Sequence, residues 1–346
     1  MAKTIKVGII GAGGISRLHV EGYQKCPNVK VLATCDIRPE RAAAQAEAFG
    51  IPHTFDSAAA LLKVKEIDAV SICTPNVDHK PSAIKALRAG KHVLCEKPMA
   101  MNAREAQAMI DAARKARRKL QIGLDKRFSA EVAYLKRLID SGAIGKPYYA
   151  RSRSIRRRGV PSWGVFGQKK LQGGGPLIDI GVHSIDFTWF LMGCPKPLAV
   201  SAKTYETIGH TPGHAGMFGP WDWKTYDVED FAVALVRFVG GATMLVESAF
   251  CVNLDRDVFG CDVVGDRGGV GTDPVRVSLE VGAHLIDGTP NHLQRVATHH
   301  AEVAAFIDAI RRNRPVAVPA TEAIWTTKII DAIYESSRRN REIRLK

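Results

Sequence analysis

The feature that most constrains this chain is a β-branched run that empties into paired glycines near its start: Val7-Gly8-Ile9-Ile10-Gly11-Ala12-Gly13-Gly14-Ile15-Ser16. It reads as a strand, a tight turn and the start of a helix. Gly11 can take turn dihedrals closed to other residues, and Gly13 has no side chain to hold a pyrophosphate off the backbone. The first N–H groups of the helix, at Gly14 and Ile15, then face the phosphates with the positive end of the helix dipole behind them. That is a dinucleotide-binding turn, with Ser16 where the G-x-G-x-x-G/A pattern has its third small residue. A second apolar run, Val29 to Cys35, ends at Asp36. An acid roughly 20 residues past the glycines is where an adenosine ribose 2′-OH is bound. Asp36 therefore points to NAD, while Arg38 would suit a 2′-phosphate and leaves NADP open.

Composition bounds the class. With 346 residues, 46% of them hydrophobic, the chain can bury a large core and is long enough for two domains. Its seven cysteines (Cys26, Cys35, Cys73, Cys95, Cys194, Cys251, Cys261) are odd in number, scattered and free of C-x-x-C spacing. They read as reduced small hydrophobes of a cytoplasmic protein, with neither a disulfide framework nor a zinc framework. Met1 to Thr4 lead straight into the first strand, so a signal peptide is not expected, and no apolar run approaches the roughly 18 residues of a membrane span.

The net charge of +14 raises nucleic acid as a partner. Its densest cluster is Arg151, Arg153, Arg156, Arg157 and Arg158, with others at Arg117, Arg118 and Lys119 and at Arg338, Arg339, Arg341 and Arg344. The last two groups fall at predicted helix ends, where cations suit the dipole. No helix-turn-helix, zinc-finger or RNA-recognition signature accompanies them. A solvated basic surface is expected, with no nucleic-acid partner and no membrane.

From the N-terminus strands and helices alternate. Pro39 to Phe49 reads as a helix stopped by Gly50, Ala69 to Thr74 as a strand ended by Pro75, and Ser82 to Ala89 as a helix closed by Gly90. His92 to Cys95 is the next strand, Asn102 caps a helix running to about Lys119, and Leu120 to Leu124 forms one more strand. Strands buried on both faces with helical crossovers predict a doubly wound parallel sheet over 1–124. Over 125–346 the grammar changes. Strands at Tyr148–Ile155, Leu198–Thr204, Phe231–Phe238, Thr243–Phe250 and Val275–Glu280, several linked by turns such as Gly240-Gly241, predict a mostly antiparallel open sheet. Helices at Pro176–Met192, His300–Arg312 and Thr321–Arg338 are expected to cover part of it. The fold class is thus α/β, a Rossmann-type domain followed by an α/β domain.

Two constellations carry chemistry. Cys95-Glu96-Lys97-Pro98 follows a parallel strand at its C-terminal end, the edge where ligands bind in such sheets. Lys97 there can donate to a substrate hydroxyl and stabilise a developing alkoxide. The second is the run Gly173-Gly174-Gly175 with Asp179 and His183 at i,i+4 and Asp186 a turn further. A His near a carboxylate is a tunable base near neutral pH. The alternative is an ordinary helical side-chain pair. No metal is expected, since neither Asp179/His183 nor the similarly spaced His210/His214 has an evident third ligand. His299 and His300 read as capping or surface residues.

The opening glycine turn, the Thr74-Pro75-Asn76 strand end, Glu96-Lys97-Pro98 and Asp179-x-x-x-His183 occur in the order of the Gfo/Idh/MocA oxidoreductases, which the chain resembles along essentially its whole length. The resemblance implies an N-terminal Rossmann domain and a C-terminal domain whose open sheet forms a dimer or tetramer interface. It makes Lys97, before a cis Pro98, the catalytic lysine, His183 the acid/base, and Asp179 its orienting or substrate-binding partner. Thr74, Pro75, Asn76, Glu96 and Lys97 join Gly11, Gly13, Gly14, Ile15, Asp36 and Arg38 at the cofactor. Arg156 and Trp163, in the unusual segment 156–164, and the tryptophans of 209–226 suit a carbohydrate, because sugar C–H patches lie on indole faces and guanidinium forks bind hydroxyls or a carboxylate. The expected function is NAD(P)-linked oxidation of a sugar, polyol or glycoside carbinol. The alternatives are a glycoside-cleaving enzyme that retains NAD and, behind it, a non-catalytic dinucleotide sensor.

Overall fold

The computed structural model describes residues 4–345, so the chain start before Thr4 lies outside the described residues. The chain forms two compact units, one of residues 1–128 with 297–324, the other of residues 129–296 with 325–346. The first unit therefore takes in a late segment that a boundary at Leu124 leaves out.

In the first unit, β1 (Ile5–Ile10), α1 (Gly14–Lys25), β2 (Val29–Cys35), α2 (Pro39–Phe49), β3 (His53–Phe55), α3 (Ala58–Leu62), β4 (Ala69–Ile72), α4 (Asn76–Arg88), β5 (His92–Glu96), α5 (Ala103–Ala116) and β6 (Leu120–Gly123) alternate; the short β3 and α3 fall between Gly50 and Ala69, where the sequence predicts no element. The sheet order is β3-β2-β1-β4-β5-β6, and every pairing in it is parallel. Val7, Ile9, Val20, Tyr23, Ala69 and Leu94 pack with Val303 and Phe306 of the helix Thr298–Arg311, which returns to this unit. Fully burying a Val, Ile, Leu or Phe side chain here contributes about 1.5–3 kcal/mol, and burial on both faces is why β1, β4 and β5 are mostly apolar, with Ser71 and Glu96 as buried polar exceptions.

Two local differences have clear causes. The helix expected from Ser82 begins at Asn76 and passes through Pro81. That proline sits in the second turn, where it removes one backbone bond and crowds the preceding carbonyl, yet the helix continues through it, so it does not mark the boundary. β4 stops at Ile72, and Thr74 and Pro75 form the connection into α4.

In the second unit, α6 (Ala130–Asp140) leads to β7 (Pro147–Ile155), the short α7 (Lys169–Gln172), a π-helical turn Leu177–Gly181 and α8 (Val182–Leu191). Strands β8 (Pro197–Tyr205), β9 (Phe231–Phe238), β10 (Thr243–Ala249), β11 (Val258–Gly265), β12 (Gly268–Thr272), β13 (Val275–Val281) and β14 (His284–Gly288) follow. The chain closes with α9 (Thr298–Arg311), already placed in the first unit, α10 (Ala320–Arg339) and β15 (Ile343–Arg344). The nine-stranded order is β14-β13-β12-β11-β7-β10-β9-β8-β15, antiparallel except between β7 and β10. β11, β12, β14 and β15 are not among the expected strands; β12, β14 and β15 are short or glycine-rich and carry too little alternation to be visible in sequence.

The arginine cluster expected to be a solvated surface is partly paired within the sheet domain. Arg151 and Arg153 donate to Asp262 at 2.9 and 3.0 Å, and Arg276 closes on the same carboxylate. Arg158 bonds the Val252 carbonyl and Asn253, leaving Arg157 as the exposed member. Cross-strand register explains the first pair, since Arg151 faces Asp262 across β7 and β11. Part of the charge that looks like a nucleic-acid patch in sequence is thus paired within the sheet domain, with Arg151 still 42% exposed.

The tightest point of the first unit is Gly11. Its φ is +93°, and a Cβ there would lie 2.6 Å from the Cys73 carbonyl oxygen. Gly11→Ala is expected to destabilise the chain by about 2–4 kcal/mol, combining left-handed strain with a backbone clash. Urea unfolding read by circular dichroism checks this.

Candidate functional site

In the first unit the site grows from the C-terminal edge of the parallel sheet. Gly13 caps α1 with no side-chain hydrogen bond, so the first amides of the helix have no side-chain acceptor from the cap. A Cβ on Gly13 or Gly14 would meet no atom within 4 Å, so the space above the turn is open. Ser16 explains the departure from the glycine pattern: its hydroxyl donates to the Gly13 carbonyl at 2.6 Å and accepts from Gln45 Nε2 at 2.6 Å, while Gln45 Oε1 accepts from Thr34. A small hydroxyl thus ties turn, helix and β2 together. Asp36, past the end of β2, accepts from the Ala12 and Arg38 amides at 2.8 and 2.9 Å, bringing the acid to the glycine turn. Arg38 is exposed. An uncapped helix start, an open glycine cradle and an acid at the next strand end together fit a dinucleotide.

Further along that edge, Glu96 ends β5 and the Lys97–Pro98 peptide is cis. His79 of α4 lies between the Thr74 and Pro98 carbonyls, at 2.9 and 2.7 Å, and so ties the two connections to one another. Burial holds its ring below the ordinary histidine range despite both carbonyls. Asn76 is buried at the start of α4, beside the exposed Pro75.

Beneath Glu96 lies a polar group that sequence reading passed over. His19 of α1 is fully buried, with Nε2 2.8 Å from Glu96 Oε1 and Nδ1 3.0 Å from Ser71 Oγ, and Tyr23 Oη is 2.7 Å from the same Ser71 oxygen. The Lys97 amide donates to Glu96 Oε2 at 3.1 Å. Burial alone would raise the Glu96 carboxyl, but the His19 hydrogen bond and the charges of His19, His299 and Lys97 outweigh it and hold the group below its usual range. His299 is neither a cap nor a plain surface residue: its ring centroid is 6.4 Å from that of His19, and Nδ1 is 3.6 Å from Asp125. His300 approaches Glu21 and Lys25 instead. The available signal was His19 and Tyr23 at i,i+4 on the inward face of α1, polar groups where an amphipathic helix should be apolar.

Among the described residues, three metal-type ligand atoms lie within 4.8 Å of one another at His19, Glu96 and Glu302, not at the Asp179/His183 helix or the His210/His214 loop. Both His19 nitrogens and both Glu96 oxygens are already engaged, so the cluster works as a hydrogen-bond network. The buried thiols of Cys35, Cys251 and Cys261 are pushed up to about 12 by burial and stay protonated at neutral pH.

In the second unit, Asp179 and His183 emerge from a run in which every other residue from Gly174 to Trp189 is buried. The i,i+4 face expected of them is modified, because Asp179 belongs to the π-helical turn and His183 to α8. Such a turn widens the helix locally and re-aims side chains, and it recurs at functional sites. Asp186 is buried, and Thr326 of α10 donates to it at 3.4 Å, so it belongs to packing. The triple glycine is held by Glu229, which accepts from the Gly175 and Leu177 amides and from the Tyr334 hydroxyl at 2.9, 3.1 and 2.9 Å. Burial pushes the Glu229 carboxyl upward against those bonds. Val160, Tyr226, Val228 and Phe250 pack on Ile180, joining the 156–166 and 208–226 segments to the Asp179 turn. Arg156 lies over the Phe218 ring at 5.4 Å, and Trp163, 56% exposed, meets Phe218 edge-on at 5.2 Å.

These features define a class: an oxidoreductase with an NAD-binding Rossmann domain and a second domain built on an open, mostly antiparallel sheet. The comparisons with known proteins agree. Residues 5–124 match the family described as "Oxidoreductase family, NAD-binding Rossmann fold", and residues 132–271 match the "GFO/IDH/MocA C-terminal domain". The chain is 33% identical over 343 residues to D-glucoside 3-dehydrogenase of Escherichia coli K12, covering 99% of this chain and 97% of that one. It is 27% identical to myo-inositol 2-dehydrogenase of Thermotoga maritima, covering 99% and 98%. The solved structure of levoglucosan dehydrogenase in complex with NADH and levoglucosan superposes with a TM-score of 0.86 at 25% identity, covering 99% of both chains. The protein belongs to the Gfo/Idh/MocA family.

A Cβ on Gly174 would lie 1.9 Å from Tyr334 Oη. Gly174→Ala should therefore destabilise by about 2–3 kcal/mol, and by less in a Tyr334→Phe background, where the clashing oxygen is gone. A double-mutant cycle in urea measures the difference.

Proposed function

We propose that the protein catalyses NAD-linked oxidation of a secondary hydroxyl on a sugar, polyol or glycoside, with the 3-hydroxyl of a glucopyranoside as the first candidate. The observation that carries this reading is the buried run from Gly174 to Trp189 that lets only Asp179 and His183 reach the surface. The E. coli relative over nearly the whole length supports the substrate class.

The glycine turn and Asp36 would hold NAD, which would supply the hydride acceptor for the carbinol carbon. Lys97 donates to the hydroxyl oxygen and stabilises the negative charge that develops there. His183 takes the hydroxyl proton, and Asp179 orients the imidazole or holds a neighbouring hydroxyl. Gly11, Gly13, Gly14 and Ile15 seat the pyrophosphate, Asp36 takes the adenosine ribose, and Thr74, Pro75, Asn76 and Glu96 line the path to the nicotinamide. Arg156 and Trp163 contribute to carbohydrate recognition. We assign 1–124 to cofactor binding and 125–346 to substrate binding and oligomerisation. Exposed Phe259, Val281, Leu285 and Ile286 on the sheet support a homodimer or homotetramer. Buried free thiols support a cytoplasmic location, and among the described residues no helix is long and apolar enough to cross a membrane.

With methyl glucosides, levoglucosan, inositols and free aldoses offered with NAD, NADH formation at 340 nm should appear with at least one pyranoside. No NADH with any of them, from protein that binds NAD, would overturn the reading. Lys97→Ala and His183→Ala should each lower kcat on the order of 10²–10⁴-fold with nearly unchanged NAD affinity, and their losses should not add.

Asp36 sets cofactor choice in this reading. Wild type should bind NAD more tightly than NADP at matched salt, and Asp36→Ala should narrow the gap on the order of tenfold through lost charged hydrogen bonds. Calorimetric titration with each cofactor decides it, and tighter NADP binding by wild type would transfer the role to Arg38.

A further inference from the structure

The buried polar chain under Lys97 has one consistent direction. The Lys97 amide can only donate, so Glu96 Oε2 must accept. With Glu96 ionised, His19 donates from Nε2 to Oε1, its Nδ1 accepts from the Ser71 hydroxyl, and Ser71 accepts from the Tyr23 hydroxyl. Every donor then meets an acceptor. A proton on Oε1 would reverse the whole chain: His19 would donate to Ser71, Ser71 to Tyr23, and the Tyr23 O–H, fully buried, would lose the acceptor it has in Ser71. Stranding a buried donor is costly. The geometry therefore resists protonation of Glu96 from a point several residues away.

Glu96 stands where that charge matters. Asp36 and the glycine turn place the adenosine half of a dinucleotide over β2 and β1, so the other half extends past the switch point between β1 and β4 toward the end of β5, where Glu96 and Lys97 lie. An oxidised nicotinamide is cationic and a reduced one is neutral, so a fixed carboxylate there favours the oxidised form.

We propose that His19 is a positioning residue that, with Ser71 and Tyr23, keeps Glu96 a carboxylate beside Lys97 and so biases the protein toward NAD⁺ over NADH. The groups facing Glu96 are His19 from α1, Cys73 after β4, His79 from α4, Lys97 itself, and His299 and Glu302 from α9, with Asp125 and Lys126 beyond His299. Burial holds the His299 and His79 rings below the ordinary histidine range. The inference rests on the proposed function only in taking Lys97 to lie at the nicotinamide end, and its test reads binding, so it stands or falls without any sugar turnover.

The measurement is the ratio of NADH to NAD⁺ dissociation constants from pH 6 to 9, by NADH fluorescence titration and NAD⁺ competition. Groups that act equally on both cofactor forms cancel in this ratio. Wild type should give a flat profile. Glu96→Gln, which keeps the shape and removes the charge, should lower the ratio on the order of tenfold at every pH. His19→Phe should lower it at pH 6 and let it recover toward pH 9, because Glu96, buried and without its donor, now titrates within the range. His19→Gln, which still offers an N–H toward Glu96, should stay within about twofold of wild type. Tyr23→Phe, which removes the donor that reversal would strand, should give a weaker pH dependence of the same sign. A Glu96→Gln ratio within twofold of wild type overturns the charge argument. Flat profiles at the wild-type ratio in both His19→Phe and Tyr23→Phe overturn the role of the chain, and Tyr23→Phe alone decides it if His19→Phe fails to fold.

Discussion

The approach of Gly11 to the Cys73 carbonyl is the contact on which the first unit depends. β1 and β4 are neighbours whose following segments leave to opposite sides of the sheet, and a crevice opens where they part. Only a residue without a side chain can stand at that parting with φ at +93° and a carbonyl 2.6 Å from where its Cβ would be. Once β1 turns there, α1 must start at Gly14 with open amides, Asp36 must come to the Ala12 amide, and the ends of β4 and β5 must lie along the same edge. The position of Lys97 is in that sense a late consequence of a glycine far earlier in the chain.

Much of this was legible in the sequence because it is written in short-range terms. Glycine placement, β-branched runs and an acid at a strand end report local backbone geometry, so the parallel sheet, the cofactor turn and the Glu96-Lys97-Pro98 connection were readable. What escaped was set by distant partners. His19 looks like a helix residue among others until Ser71 and Glu96 are brought to it from β4 and β5. Arg151 and Arg153 look like surface charge until β11 delivers Asp262 opposite them. His299 looks like a cap until its helix is laid against α1. A single sequence has no record of such pairings, and residue type alone favours the blander interpretation in each case.

In the second unit the same contrast appears within a single helix. Asp179-x-x-x-His183 was visible as a pattern, but the π-helical turn that offsets the two residues was not. Its support comes from Glu229, which gathers two loop amides and a tyrosine hydroxyl around the triple glycine. A buried carboxylate with three donors is costly to desolvate and rigid once satisfied. It is a reason for the turn to keep one shape, and the reason lies some fifty residues downstream in the sequence.

The buried run from Gly174 to Trp189 also bears on how a chain of this design can change. Neighbours crowd nearly every position of that segment, so mutation there meets packing before it meets chemistry. The two side chains that escape full burial meet fewer neighbours, as do the exposed residues of the 156–166 and 208–226 segments, which Val160 and Tyr226 anchor in the core around Ile180. Diversity of recognition can therefore accumulate on the loops while the helix beneath them stays nearly constant, and descendants of one such ancestor would differ most in what they admit and least in how they hold it.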